Sequence, residues 1–333
     1  MELLNEYIGA FAGFMWGPPL LTLLLGGGIY FTIYSRFIPF KYFRHGLDIL
    51  FGRYNDPNDP GEITHFQALS SALASTVGLG NISGVAIAIQ MGGPGALFWM
   101  WVSAVVGMST KFFSCTLSIL YRGKDDQGNI QGGPMYYIEN GLGKKFKPLA
   151  ILFSVAGLFG CTVIFQSNQL ADIIRTQVFI PNGWFMESEQ TGNLIQGLIM
   201  AFITSLVIFG GIKRIGQVAT YMVPVMVVLY MFAGLLVVFN HFAEIPSLFG
   251  LILHDAFTGD AVMGGAVGSV IIAGVRRALF SNEAGLGTSD MAHGAAMTKE
   301  PVREGLVAMI EPCLLYTFDA ADDMLCVELS GGW

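Results

Sequence analysis

Two stretches of this 333-residue chain place polar groups and glycines where an apolar helix would carry Leu or Ile. The first is SSALASTVGLGNISGVAIAI, residues 70–89, centred on Thr76-Val77-Gly78-Leu79-Gly80-Asn81; the second is AGVRRALFSNEAGLGTS, residues 273–289. Each Gly weakens a helix by about 1 kcal/mol relative to Ala, and backbone freed in hydrocarbon must find another partner. Both stretches therefore read as interrupted membrane helices. At such a break, half-helix N-termini offer N–H groups to a carboxylate, while exposed carbonyls suit a cation. Na⁺ is a hard ion that carbonyl, amide and hydroxyl oxygens satisfy, and Thr76, Asn81, Ser281 and Asn282 are groups of that kind.

The elements that must position these groups are membrane helices. Hydrophobic residues make up 53% of the chain and charged residues 12%, against about 25% charged in an ordinary soluble domain. This composition predicts an all-α polytopic membrane protein in contact with a lipid bilayer. The net charge of −7 does not bear on orientation, which follows the placement of Lys and Arg. The cysteines at 115, 161, 313 and 326 share no short metal-binding spacing and read as packing residues. The first residues, MELLNEYIG, have no basic region and do not read as a cleaved signal peptide.

Apolar spans near 20 residues fall at about 11–34, 65–90, 96–121, 149–179, 194–211, 217–239 and 262–289, with an eighth beginning near Gly305. Thirteen of the 17 basic residues lie in alternate loops: the segment with Arg36, Lys41, Arg44 and Arg53, the loop 122–148, the turn at Lys213 and Arg214, and the loop with Lys299 and Arg303. The opposite loops hold none; Lys111, Arg175, Arg276 and Arg277 lie within spans. This split predicts an N-terminus outside and basic loops in the cytoplasm of a multi-pass cell-membrane protein.

The two interrupted helices then run in opposite directions, five core helices apart. That is the plan of an inverted repeat, in which discontinuous helices meet at mid-membrane around a substrate and its coupling ion. Glycines that only let helices pack closely would explain one such stretch, but not a pair matched in polarity, depth and direction. The implied organisation is an extra helix and basic segment at 1–64, a first repeat at 65–240, the start of a second at 262–312, and a non-native tail at 313–333.

The segments ALSSALASTVGLGNISGVAIAI, GGPGALFWMWVSAVVGMSTKF, QGGPMYYIENGLG, FQSN at 165–168 and FSNEAGLGTS at 280–289 resemble the alanine or glycine:cation symporter family, also called sodium:alanine symporters. The resemblance covers nearly all of residues 1–312. It implies a leucine-transporter-like fold, whose sodium-coupled members often carry a VGLGN string like Val77 to Asn81. It implies Na⁺-coupled uptake of alanine or glycine by alternating access, with H⁺ as the other possible ion and no cofactor. A monomer that binds no nucleic acid is expected.

By the same resemblance, Gly78 lies in the substrate site at the break, and the Leu79 and Gly80 amides hold the substrate carboxylate. The Asn81 side chain and Thr76 carbonyl hold one Na⁺, with the Ala74 and Val77 carbonyls at a second ion site. Gln166 and Asn168 face the substrate, and Gly274, Phe280, Ser281 and Asn282 line the opposite side. Phe280 also has a lipid-facing or packing reading.

The chain departs from the family pattern at Ser114, where many relatives carry an acidic residue, and at Ala278, where many carry Gly. The first change removes an expected partner of Lys111, which is left to pair elsewhere or to snorkel. Arg276, Arg277 and Glu283 read as a gate or brace. From Cys313 the chain carries Asp319, Asp322, Asp323 and Glu328, too many charges for a bilayer at about 3 kcal/mol each.

The catalytic motifs HExxH and GxSxG are absent. His45, His65, His241, His254 and His293 lie outside the breaks or at membrane edges. Gly78-Leu79-Gly80 has no strand–loop context for dinucleotide binding. An enzyme is not expected. A channel, a transporter of another small solute, and an inactive fragment of a transporter are the competing readings.

Overall fold

A computed structural model of the protein describes all residues except 1, 163, 186–187, 259–266 and 316–333. Helix dominates, with one short antiparallel hairpin. The elements are α1 (Glu2–Met15), α2 (Pro18–Tyr34), α3 (Ile38–Lys41), α4 (Phe43–Leu50), α5 (His65–Thr76), α6 (Leu79–Gly92) and α7 (Gly95–Leu120). The hairpin of β1 (Gly123–Lys124) and β2 (Ile130–Gln131) follows, then α8 (Pro134–Leu142), α9 (Lys147–Gly160) and α10 (Ile164–Ile174). The chain continues as α11 (Glu189–Ile208), α12 (Gly211–Asn240), α13 (Ile245–Thr258), α14 (Val267–Asn282), α15 (Thr288–Gly294) and α16 (Pro301–Ala308).

The centre of the fold is α7. Its buried positions Leu97, Met100, Ala104, Met108, Phe112, Cys115 and Ile119 recur every three or four residues, the spacing that keeps one apolar stripe on one helix face. Around it pack α2, α13, α14, α15 and α16. Two of these approaches need glycine. A Cβ at Gly95 would stand 2.4 Å from the Ala256 backbone nitrogen on α13, and one at Gly28 would stand 2.4 Å from Val106 Cγ1. The Asp255 carboxylate accepts from Gly95 N at 2.7 Å, placing an anion at the electropositive start of α7.

Among the described residues, four helical segments are long and apolar enough to cross a membrane: Asn5–Tyr34, Gly95–Leu120, Gln190–Ile208 and Gly211–Asn240. The other expected spans fall short because they are interrupted, not because they are polar. The span at 65–90 divides into α5 and α6, and that at 262–289 into α14 and α15. The sequence predicts one helix over 149–179, but the structure ends α9 at Gly160 and begins α10 at Ile164. The first span also differs: α1 ends at Met15, and α2 starts at Pro18, because Pro lacks the N–H needed to continue a helix and is favoured at its first turn. Residues 35–64, read as a polar segment, hold α3 and α4, whose Ile49 and Leu50 are buried. The eighth span starts at Pro301.

On α11 and α12, Leu198, Phe202, Leu229 and Phe232 are all more than half exposed. An apolar surface of this kind suits hydrocarbon, where helices satisfy their own backbone. With its several apolar helices, the chain is a multi-pass membrane protein.

Candidate functional site

The first interruption follows from local chemistry. Helix α5 opens with a capping box, in which Thr64 accepts from Gln67 N while the Gln67 side chain accepts from Thr64 N. It ends at Thr76, whose hydroxyl turns back onto the carbonyls of Ala72 and Leu73 at 3.2 and 3.3 Å. Val77 (φ −77°, ψ 108°) and Gly78 (φ −172°, ψ −168°) are extended, and the helix restarts at Leu79. The last carbonyls of one helix and the first N–H groups of the next have no intrahelical partner. Leu73 O is taken by Val77 N at 2.7 Å, so helical pairing leaves the carbonyls of Ala74, Ser75 and Thr76 and the amides of Leu79 and Gly80. A Cβ at Gly78 would meet nothing within 4 Å; there is open space beside the break. The side chains of Leu79 and Asn81 lie outside the described residues.

The second interruption spans 283–287. After Asn282, Glu283 turns left-handed (φ 51°), as do Gly285 (φ 87°) and Gly287 (φ 83°), and α15 begins at Thr288. Glycine suits the latter two because an L side chain is strained there. Asn282 Oδ1 accepts from Ala284 N at 2.9 Å, and the Glu283 carboxylate accepts from the Thr288 hydroxyl. Ser281 and Asn282 are almost fully buried, yet Ser281 Oγ and Asn282 Nδ2 have no hydrogen-bond partner among the described residues. Each orphaned buried polar group costs about 1–3 kcal/mol.

Packing sets the two broken helices against each other. Helix α6 lies against α14, with Gly92 beside Ala273 and Gly84 beneath the Arg277 guanidinium. The two helices run antiparallel, so the start of α6 lies towards the end of α14. The complementary halves also pair, α5 against α15. Helix α7 runs alongside α14: Ala96 and Trp99 touch Gly274, Gly107 faces Asn282 and Ala284, and Lys111 reaches Ser289.

The expected residues therefore separate into groups. Ala74, Thr76, Val77, Gly78, Leu79, Gly80 and Asn81 lie at the end of α5, in the break and in the first turn of α6, and Ser281 and Asn282 close the last turn of α14. Gly274 lies eight residues from Asn282, about 12 Å along the helix. There a Cβ would stand 2.3 Å from Ala96 O, which marks a helix–helix contact. Phe280 is 45% exposed, with Arg277 over its ring at 5.1 Å and Trp16 at 6.2 Å. Arg276 Nε donates to Trp16 O at 2.9 Å, tying α14 to the α1–α2 turn, whereas the Arg277 guanidinium lies against Gly84 of α6. Gln166 and Asn168 are exposed on α10, which touches α6. The cleft lined by Arg175, Phe179, Trp184 and Phe185 is built on the α10–α11 connection, not on either break.

A buried polar network next to the breaks was not foreseen. Glu304 accepts from His65 on α5 and, at 2.5 Å, lies against His293 Nδ1 on α15. Lys111 Nζ donates to Glu311 Oε2 at 2.7 Å and Ser289 Oγ at 2.6 Å. Asp290 Oδ1 accepts from Ser114 Oγ at 2.8 Å and Cys115 Sγ at 3.2 Å, and Tyr137 OH donates to Oδ2 at 3.2 Å. Lys111 thus pairs inside the protein and does not snorkel; a buried charge without a partner is too costly. His65 and His293, set aside as edge residues, are both fully enclosed. The available signal was Lys111 itself: an ammonium inside an apolar span demands a carboxylate.

A family model described as the sodium:alanine symporter family matches residues 1–317. The sodium/alanine symporter AgcS of Methanococcus maripaludis is 42% identical over 301 residues, covering 89% of this chain and 64% of that protein. An uncharacterized transporter of Haemophilus influenzae is 38% identical over 338 residues, 99% of this chain and 71% of its own length. The probable sodium/glutamine symporter GlnT of Bacillus subtilis is 36% identical over 306 residues, 92% of this chain and 62% of that protein. The match thus spans roughly two thirds of the length of each relative.

Proposed function

Because the chain belongs to the sodium:alanine symporter family, we propose that it carries the binding core of a secondary transporter that takes up small neutral amino acids with Na⁺. The observation that supports this reading is the packing of two broken helices against each other, α6 on α14 and α5 on α15, with open space at Gly78 and orphaned polar atoms on Ser281 and Asn282. An amino-acid zwitterion supplies what those groups lack. Its carboxylate fits the Leu79 and Gly80 amides at the start of α6, where the helix dipole favours negative charge. Its remaining face meets Ser281 and Asn282. The Thr76 carbonyl with the Asn81 side chain holds one Na⁺ beside the carboxylate, and the Ala74 and Val77 carbonyls contribute to a second.

Shared ligation produces coupling. Na⁺ and carboxylate neutralise each other at one break, so each raises the other's affinity by the same factor. The antiparallel breaks belong, on this reading, to an inverted repeat that alternates access by rocking around the site, with the N-terminus outside. The relative named for glutamine keeps a larger neutral amino acid open as the substrate.

The test is uptake of labelled alanine into proteoliposomes bearing the complete gene product, with and without a Na⁺ gradient, in competition with a panel of amino acids. Saturable, Na⁺-dependent uptake blocked by small neutral amino acids is expected, and Asn81→Ala reduces it severely. Uptake indifferent to Na⁺ and to Asn81→Ala overturns the ion assignment; no uptake of any amino acid overturns the function.

A further inference from the structure

Glu304 is shared between two imidazoles. One of its oxygens faces Nδ1 of His65, at the start of α5, and the other lies 2.5 Å from Nδ1 of His293, near the end of α15. On the far side of the His293 ring, Nε2 lies 3.8 Å from Glu311 Oε2, the oxygen that also takes Lys111 Nζ at 2.7 Å. His65, His293, Glu304, Glu311 and Lys111 are each at most 1% exposed. An unbroken line of polar groups thus runs through the interior from α5 to α7, by way of α15.

The charges along this line balance only with one added proton. Glu304 and Glu311 are both carboxylates, and Lys111 is their one fixed cation. A buried charge left uncompensated is costly, so an imidazole has to supply the missing positive charge, and the geometry distinguishes the two rings. A proton on each Nδ1 satisfies Glu304. His65 Nε2 has no hydrogen-bond partner among the described residues, so a second proton on that ring would have nothing to bond. His293 Nε2 has no such partner either, but it faces Glu311, whose Oε1 also lacks one. A ring with a carboxylate at each nitrogen is the place for an imidazolium.

The neighbouring groups offer no substitute. Asp290, also on α15, accepts from Ser114, Cys115 and Tyr137, all neutral, and so adds to the deficit of positive charge. Arg122 donates to the backbone carbonyls of Gly294, Ala296, Thr298 and Pro60. At the other end of α15, Glu283 accepts from the Thr288 hydroxyl. Among the described residues no three His, Cys, Asp or Glu side chains converge as metal ligands, so the cation that fits is a proton.

We propose that His293 is a proton-binding site, holding one proton between Glu304 and Glu311, and that this proton fastens α5 to α15 beside the two breaks. Each helix is one half of an interrupted pair, and Glu304 is the carboxylate common to both. Removal of the proton leaves Glu304 and Glu311 with a single ammonium and weakens that hold. Proton binding and the packing of α5 on α15 therefore favour each other by the same factor.

The test follows thermal unfolding of the complete gene product in detergent, and Na⁺-dependent alanine uptake in proteoliposomes buffered alike on both sides. Both are measured from about pH 6 to 10, spanning the ordinary histidine value of about 6.5, for wild type, His293→Gln and His65→Gln. A proton held by the fold and not by the unfolded chain stabilises below that ordinary value, and its contribution is lost as pH rises through the folded one. Wild type should unfold at lower temperature as pH rises, and its uptake should fall with the same midpoint, by at most about tenfold per pH unit for one proton. His293→Gln should lose both dependences, and His65→Gln should keep them. A profile unchanged in His293→Gln, or abolished by His65→Gln instead, overturns the assignment. Should His293→Gln not fold, Glu311→Gln decides: losing one flanking carboxylate should lower the midpoint by about one pH unit or more, and an unmoved midpoint overturns the site. Only the uptake arm rests on the transport reading above; absence of uptake in wild type overturns that reading, and the unfolding profile then decides the proton site by itself.

Discussion

Lys111 Nζ sits 2.7 Å from Glu311 Oε2, with both side chains out of solvent. The pair joins the middle of α7 to the helical turn at 310–315, two hundred residues later. With the Lys111–Ser289 bond it also holds α15, one half of the second broken helix. Breaking a buried pair leaves an uncompensated charge worth about 3–5 kcal/mol, whereas replacing both partners with apolar groups is often neutral. Lys111→Met and Glu311→Leu should each lower the unfolding temperature sharply, and the double variant should recover much of the loss. Recovery will be incomplete, since His293 Nε2 lies 3.8 Å from the same Glu311 oxygen. Equal losses in single and double variants would show that the pair contributes nothing specific.

The glycines divide by what an added methyl would strike. At Gly95 and Gly274 it meets backbone, Ala256 N at 2.4 Å and Ala96 O at 2.3 Å. Helices must move apart there, so Ala at either position should cost about 1–3 kcal/mol. At Gly78 it meets open space, and the extended backbone accepts any residue. Gly78→Ala should leave the free energy of unfolding within about 0.5 kcal/mol of wild type while reducing alanine uptake. Unimpaired uptake would show that the space at Gly78 is not the binding cavity.

Arg122 fastens the far end of α7. Its guanidinium donates to the carbonyls of Gly294 (2.8 Å), Pro60 (3.0 Å), Thr298 (3.3 Å) and Ala296. Burial draws its pKa down to about 10, still protonated at neutral pH. A lysine keeps the charge but lacks the planar fork. Arg122→Lys should therefore speed amide exchange at Met297 and Thr298, whose N–H groups bond Ile63 O and Pro60 O. Unchanged exchange would assign the clamp to the backbone bonds alone.

Lys299 Nζ contacts Asp59 Oδ1 at 2.7 Å across the same loops. The ammonium's hydrogen bond holds the Asp59 carboxyl below its ordinary 3.8, and the carboxylate raises Lys299 above 10.5. A depressed carboxyl stabilises the fold above its unfolded pKa and loses that contribution as pH falls through the folded value. A raised ammonium does the reverse, losing its contribution as pH rises through the folded value. The destabilisation caused by Asp59→Asn should be constant from about pH 5 to 9 and shrink only below pH 3.8 or above 10.5. A change within the neutral range would assign it to another group.

Both interruptions were legible in the sequence because a helix break is a local event. Gly78 and Gly80 before Asn81, and Glu283 to Gly287 after Asn282, weaken hydrogen bonding among their own neighbours whatever the rest of the chain does. The structure interrupts α5/α6 and α14/α15 at those residues. The break between α9 and α10 went unseen although Gly160 closes α9, because one glycine in an apolar run without a following turn cluster is weak evidence for a break. Gln166 and Asn168 show the same limit: polarity marks them, but their exposure on α10 depends on how that helix sits.

By itself, the sequence determined an apolar chain of interrupted helices, because composition and glycine placement act within a few residues of where they occur. Tertiary structure alone decided which groups met. Lys111 required a carboxylate, but several were available; only the packing of α7 against the turn at 310–315 selected Glu311. Partner choice depends on distances between segments far apart in the chain, and those exist only once the helices have packed.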